Sequence, residues 1–555
     1  MLRVALALFL SAYGLTAAET ADLVVYGGTA GGVATAVSAA REGLDVILLE
    51  PRDHLGGMLT GGLSESDIGK REVLGGIALE FFWRVGQAYQ VSRQRNEVAW
   101  NFEPHVGEQV LREMLQQAGV RVLYRHRLRE KGGVRKQGLR VAAITTEDGT
   151  QFEAKVFADC SYEGDLMAQA GVRYTWGRES TAEYGESLAG VRDRTPKHQW
   201  LVDVSPYDAA GKLLPEISPL PKGEPGSADK RVQAYNFRII ATDRPGNRLP
   251  WPKPEGYDPG RYALMARLIE ATVAKTGHVP VMHQVLKLDH IPGDKVDINN
   301  QGAFSTDYIG ASWDYPEGSY ARKAEIWRAH EDYVKGLFYF LANDPAVPKS
   351  LRDEVSNWGL PRDEYVDNGH FPNQLYIREA RRMVGEFVMT QKDLQTELTK
   401  PDAIGMGSYN SDSHNLHRFV NERGFVENEG DMQVPVTPYQ MPYRVMLPNR
   451  GEAENLLVPV AFSASHVAYS SLRMEPQYMI LGHAAGVAAA LAVSGGQPVQ
   501  AIDVPTLQEK LREQGAMFEY TPSPQSQVIR RFRSLFCGPS EPRHGFEAGE
   551  TLLCN

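Results

Sequence analysis

The chain has 555 residues, of which 42% are hydrophobic and 23% charged, so it is an ordinary soluble globular protein too long for one small core. Its formal net charge is -10, and with no long basic run nucleic acid is excluded as a natural partner. Three cysteines, Cys160, Cys537 and Cys554, exclude a four-cysteine iron–sulfur cluster.

In chain order, residues 1–18 come first as a separate unit. A positive start at Arg3 leads into an apolar run over residues 4–15, and Thr16, Ala17 and Ala18 are small residues of the kind a signal peptidase cleaves after. The run is short against the roughly 20 residues needed to cross a bilayer, so it is expected to be removed on export. No other stretch is expected to span a membrane. Residues 22–26 then read as a buried strand, 27–32 as a glycine-rich turn, 33–42 as an alanine-rich helix with Gly43 at its end, and 45–49 as a second buried strand. Three short strands at 120–127, 139–146 and 151–158 follow as a β-meander, with an Asp148-Gly149 turn between the last two.

From residue 177 to 444 the periodicity is irregular and rich in aromatics and Pro/Gly turns, with helices expected over 320–341 and 375–389. This stretch reads as an α+β lobe inserted into the first fold. Strand character returns at 456–461, followed by a loop and an alanine-rich helix through Ala492. The boundaries are therefore 1–18 (signal peptide), 19–176, 177–444 (inserted lobe), 445–515 and 516–555 (tail). Cys160 falls in an apolar stretch and is expected to be a buried free thiol. Cys537 and Cys554 flank a short tail loop that a disulfide could close in an oxidising compartment.

Gly27, Gly28, Thr29, Ala30, Gly31 and Gly32 occupy the place where a strand becomes a helix. A first glycine there permits the tight turn, the last lets the helix pack on the strand, and the helix N-terminus offers free N–H groups to a pyrophosphate. Glu50 ends the next strand, placed to bind a ribose hydroxyl. Thr29 replaces the middle glycine of the strict fingerprint. Just beyond, Gly56, Gly57 and Met58 provide backbone for an extended dinucleotide to lie against, and Asp159 ends the meander.

These residues resemble the FAD-dependent oxidoreductases whose nucleotide fold is shared with glutathione reductase and the fumarate reductase flavoproteins, within a large bacterial branch. The resemblance is carried by EPRDHLGGM at 50–58, FADCSYEGDLMAQAGV at 157–172, LYIREARRMVGEFV at 375–388, GMGSYNSDSH at 405–414 and the long block at 455–492. Relatives usually have proline at the position of Ala30. The resemblance implies a Rossmann-type α/β FAD-binding domain interrupted by the substrate lobe. It places Pro51, Arg52 and Gly482, with the fingerprint residues, at FAD, and aims the helix opening near Pro476 at the flavin's pyrimidine edge.

In that frame His466 and Arg473 lie in the loop before the helix. His466 is a candidate acid/base or a histidine that merely satisfies a loop carbonyl, and Arg473 an electrostatic stabiliser or substrate clamp. Arg378 and Arg382 fall one helical turn apart and line the cleft or form, with Arg381, a solvated face. Asp412, His414 and His417 lack a further ligand at useful spacing, so no metal is expected and they serve pocket polarity or plain structure, with His414 kept among the candidate catalytic residues. Tyr443 and Arg444 are weaker candidates. The expected activity is hydride transfer between FAD and a small polar substrate such as a sugar or hydroxy acid, with oxygen, a quinone or a cytochrome as electron acceptor and the protein exported to the periplasm or beyond. The alternatives are a fumarate-reductase-like reductase of an activated double bond, or a glycan-binding protein with a degenerate nucleotide fold.

Overall fold

The structure is a computed structural model that describes residues 18–89 and 98–522. The segment read as a signal peptide, Cys537, Cys554 and most of the tail lie outside the described residues.

Strands β1 (Glu19–Tyr26), β2 (Val46–Glu50) and β3 (Arg121–Tyr124) run parallel in the order β3–β2–β1. Helix α1 (Ala30–Arg41) makes the first crossover, and α2 (Gly76–Ala88) and α3 (Pro104–Ala118) the second. On the other side of β1 lies β6 (Gln151–Asp159), parallel to it from Glu19↔Phe152 to Tyr26↔Asp159. The free edge of β6 is shared between two partners. Its first residues pair antiparallel with β5 (Arg140–Thr145), which pairs in turn with β4 (Val134–Gln137), and its last pair parallel with Leu456–Leu457. The sheet is thus completed by a strand from far downstream, as a split nucleotide fold requires.

Along β1, Leu23 and Val25 enter the core beneath α1, while Val24 and Tyr26 enter a second core with Val141, Ile144 and Leu166. Both faces are covered, so the strand reads as a continuous apolar run. One expectation changes here. Residues 120–127 were expected to open the meander, but Arg121–Tyr124 is the outer parallel strand beside β2. A half-exposed four-residue strand shows its neighbour nothing in its pattern that would fix parallel or antiparallel pairing.

The helix Glu475–Gly495 lies against α1 through small residues. A Cβ added to Gly482 would sit 2.2 Å from the Gly31 carbonyl oxygen, and one added to Gly486 would sit 1.9 Å from Ser38 Oγ. The Ser38 hydroxyl donates to the His483 carbonyl at 3.1 Å. Contrary to expectation, this helix is long and apolar enough to cross a membrane. Its residues from Glu475 to Ala490 are all buried in the protein, and its apolar surface is that of a core helix.

In the inserted stretch, Leu286–Ile291, Lys295–Asn300 and Ile239–Thr242 form a small antiparallel sheet, and Tyr320–Asn343 is a long helix close to the expected bounds. Residues 375–389 are not helical. They run extended, and Arg382–Met383 pairs with Tyr174–Thr175. The apolar spacing of Ile377, Ala380, Val384 and Phe387 imitates a helix. However, Arg378, Glu379 and Arg382 are all buried, which no solvated helix face would permit.

Candidate active site at the strand ends

At the end of β1 the turn leaves no room for side chains. Gly27 has a φ of +102°, and a Cβ on it would meet the Cys160 backbone at 2.8 Å; one on Gly32 would lie 1.9 Å from the Gly27 carbonyl oxygen. Thr29 has extended backbone and caps α1. Its hydroxyl oxygen accepts from Gly32 N–H at 3.1 Å and its proton goes to the Cys160 carbonyl at 2.8 Å. Ala30 and Gly31 follow as the first helical residues, whose amides have no intrahelical partner. Ala30 occupies the position where proline is favoured, which accounts for the relatives' residue there.

The carboxylate of Glu50 closes the other side. It accepts from Gly28 N–H at 2.8 Å and from Arg52 N–H at 2.7 Å. Burial pushes its pKa up to about 7, against the pull of these two donors. Gly56, at φ +93°, donates its N–H to the Gly28 carbonyl at 2.7 Å. Gly57, at φ +56°, passes so close to Tyr162 that a Cβ would lie 2.2 Å from the phenol oxygen.

These groups surround a cavity of about 400 Å³. Gly27, Thr29, Glu50, Pro51, Arg52 and Gly57 line it together with Tyr315, Tyr320, Lys323 and Trp327 of the inserted stretch. The Arg52 guanidinium stacks 3.4 Å over the Trp327 ring.

A second cluster of polar residues lies buried where the extended 375–389 segment meets the short helix His466–Leu472. It holds two carboxylate–imidazole pairs. In the first, Glu379 Oε2 meets His466 Nδ1 at 2.8 Å, and the other ring nitrogen, Nε2, faces Ser413 Oγ at 3.3 Å. Burial alone would raise Glu379, but His466 and then Arg382 outweigh it and hold it at about 2. In the second, Asp307 Oδ2 meets His414 Nδ1 at 2.6 Å. Asp307 is likewise held at about 2, burial being overcome by Arg378 and His414. Among the described residues His414 Nε2 makes no hydrogen bond, and it stands 4.0 Å from Asp412 Oδ1. Burial, followed by Arg378, lowers the His414 pKa, so its imidazole is neutral and its Nε2 carries a lone pair.

Arg473 ends the His466–Leu472 helix and is 2% exposed. It donates to the Asp412 carbonyl at 2.8 Å and to the Tyr376 hydroxyl at 3.4 Å, and its Nε has no partner. Among the described residues no carboxylate forms an ion pair with it, although Glu475 is only two positions away. Burying a guanidinium without an anion is costly. Burial works against its charge, but Tyr376, Asp412 and Asp67 raise its pKa and keep it protonated. The ring of Tyr376 also faces Arg378, 4.6 Å from the guanidinium carbon.

The sequence model for FAD dependent oxidoreductases matches residues 22–511. The chain belongs to this family. No curated protein matches it. Among solved structures it is similar to a geranylgeranyl bacteriochlorophyll reductase-like protein from Thermoplasma acidophilum, with 11% identity over 90% of this chain and 83% of that one and a TM-score of 0.35. It is also similar to a 3-ketosteroid-delta4-(5alpha)-dehydrogenase from Rhodococcus jostii RHA1, with 17% identity over 31% of this chain and 59% of that one and a TM-score of 0.21. An L-amino acid deaminase from Proteus vulgaris matches at 17% identity over 35% of this chain and 56% of that one, with a TM-score of 0.23. The match therefore spans less than two thirds of the dehydrogenase and of the deaminase.

The residues of this FAD-dependent oxidoreductase fit the cofactor. The glycine turn, the unpaired helix amides and the buried Glu50 carboxylate adjoin one cavity, and unpartnered buried atoms stand at the start of the Glu475–Gly495 helix. Not every residue expected at FAD faces that cavity. Asp159 turns inward, and its carboxylate accepts from Ser161 N–H, Ser161 Oγ–H and Met167 N–H at 3.1, 2.7 and 2.7 Å, so it holds the turn after β6. Met58 gives its N–H to the Tyr162 hydroxyl at 2.8 Å. Gly482 serves helix packing.

Among the candidate catalytic residues, His466 is not in a loop but opens a helix, with both ring nitrogens facing partners. Arg382 is spent on the protein itself, bonding the Ala464 and Gly177 carbonyls and Glu179 at 3.0, 2.8 and 2.6 Å. Arg378 pairs with Asp307 at 3.0 Å, away from Arg382, because the extended backbone separates them. Arg381 pairs with Asp165 and Glu317.

His417 lies apart from His414, accepting from Arg231 at 3.0 Å, with its pKa lowered to about 3 by burial and then by Arg231. Tyr443 and Arg444 line a separate cavity of about 220 Å³. Glu103, His105 and Glu364 converge closely enough to hold an ion, but the Lys295 ammonium already bonds Glu103 at 2.6 Å and Glu364 at 2.7 Å there. Sequence reading missed Asp307, Tyr376, Glu379, Lys323 and Trp327. Tyr376 and Glu379 lie inside the 375–388 block that carries the family resemblance, which was the available signal.

Proposed function

We propose that this chain is an exported FAD-dependent oxidoreductase that moves a hydride between a small polar substrate, such as a sugar or hydroxy acid, and the flavin. The observation that carries this reading is the meeting of an Asp307-oriented imidazole and an unpaired buried guanidinium at one residue, Asp412. FAD, when bound, supplies the hydride acceptor or donor. His414 Nε2 is the proton acceptor for a substrate hydroxyl, and Asp307 fixes its tautomer by accepting a hydrogen bond from Nδ1–H. Arg473 is the fixed cation that favours negative charge developing beside it. The inserted stretch shields this chemistry from water. Export is supported by the pattern of residues 1–18, which precedes β1.

The test is an anaerobic screen of polar alcohols and hydroxy acids read by bleaching of the bound flavin, with Arg473→Met as the variant. Loss of the cation is expected to lower the flavin reduction potential at an unchanged melting temperature. An unchanged potential with a large drop in melting temperature would make Arg473 structural. Periplasmic or extracellular recovery of the tagged chain, with an N-terminus at Glu19, tests the location.

A further inference from the structure

Three buried polar atoms in the first turn of the Glu475–Gly495 helix have no hydrogen-bond partner. They are Glu475 Oε2 and both amide atoms of Gln477, Oε1 and Nε2. Both side chains are 0% exposed. Buried polar groups are satisfied almost without exception, so three orphans in one turn mark a missing partner. Two connections say where that partner lies. Glu475 Oε1 accepts from the Tyr162 hydroxyl at 2.8 Å, and Tyr162 lines the cofactor cavity beside Gly27 and Glu50. The Tyr478 carbonyl oxygen lies 3.0 Å from the place of a Cβ on Gly31, so the same turn abuts the fingerprint.

We propose that the Glu475 carboxyl and the Gln477 carboxamide recognise the imide edge of the flavin, its carbonyl, N–H, carbonyl sequence. The chemistry is complementary. A neutral carboxyl donates through Oε2, and the carboxamide offers one acceptor and one donor. Burial pushes the Glu475 pKa up to about 8, with only the Tyr162 hydrogen bond opposing, so the carboxyl is protonated at neutral pH. The titratable groups facing it are the phenols of Tyr162 and Tyr478, both raised by burial, and among the described residues no cation pairs with it. The inference concerns cofactor capture and stands independently of the substrate reading.

The experiment uses the mature chain stripped of flavin and titrated with FAD and with N3-methyl-FAD between pH 6 and 9, read by flavin fluorescence. The N-methyl analogue is expected to bind at least tenfold more weakly than FAD. FAD affinity is expected to fall about tenfold per pH unit above the carboxyl's pKa, as single-proton linkage requires. Glu475→Gln keeps a donor in place and should flatten that decline, and Gln477→Leu should erase the discrimination between the two flavins. Equal affinity of the wild type for both flavins, or an undiminished high-pH decline in Glu475→Gln, would overturn the assignment.

Discussion

The nucleotide end and the polar end of the site are built by opposite means. The nucleotide end comes almost entirely from residues 23–58, and its working groups are backbone amides and glycines around one carboxylate, Glu50. The polar end gathers Asp307, Tyr376, Glu379, His414, His466 and Arg473 from separate stretches, and its working groups are buried charges held by one another. The first kind of site is damaged by an added atom and the second by a lost partner. Substitutions should therefore fail differently at the two ends, and the following expectations set out how.

The largest effect should separate the two imidazoles. His414→Ala removes the ring whose Nε2 is free, so turnover should fall by about 10²–10⁴-fold while bound FAD holds, and the loss of stability is limited by Arg378, which still pairs with Asp307. His466→Ala instead removes the shortest charged contact of the buried Glu379, leaving it Arg382 at 3.4 Å and the Gln233 N–H at 2.9 Å. That should cost stability, roughly 1.5–3 kcal/mol, seen as a lower midpoint in denaturant. Kinetic loss in His466→Ala with full stability, and the reverse in His414→Ala, would exchange their roles.

At the nucleotide end Glu50 is the one carboxylate expected to meet the ribose, so one substitution suffices. Glu50→Ala should weaken FAD binding by about 1.5–3 kcal/mol, measured as the dissociation constant of the stripped protein, with turnover at saturating FAD near the wild-type value. An unchanged constant would mean that Glu50 serves only the Gly28 and Arg52 amides. The two ends would then both be held together by their internal partners, and the contrast between them would weaken.

The same contrast explains what the sequence disclosed. Strand, turn, helix, strand and terminal acid follow one another within a few dozen residues, so Gly27 to Glu50 could be read as a unit. The polar end has no such locality. Arg378 and Arg382 were read as neighbours on a helix face because apolar residues recur at helical spacing. The extended chain instead sends Arg378 to Asp307 and Arg382 to Glu179 and Glu379. Asp307 and Glu179 each lie more than seventy residues from the arginine they pair with, and such distant partners leave no periodic trace. Lys323 and Trp327 sit on a helix whose bounds were expected, yet nothing in its pattern shows that this helix lines the same cavity as Glu50.

The smallest effect concerns Thr29, the residue that breaks the strict fingerprint. Its φ of -63° is open to any residue, so no left-handed backbone demands glycine there. What threonine adds is a cap, accepting from Gly32 N–H while donating to the Cys160 carbonyl, which ties α1 to the end of β6. Thr29→Ala removes the cap and should cost about 1 kcal/mol of stability, whereas Thr29→Gly should cost only a few tenths. Thr29 also lines the cavity, so its side chain is an addition to the glycine fingerprint that this end accepts. If the threonine is a neutral replacement, Thr29→Gly leaves FAD affinity within about twofold of wild type. A gain of tenfold or more in Thr29→Gly would show that the methyl group holds the dinucleotide off the backbone. The cap would then have been kept at the expense of cofactor affinity.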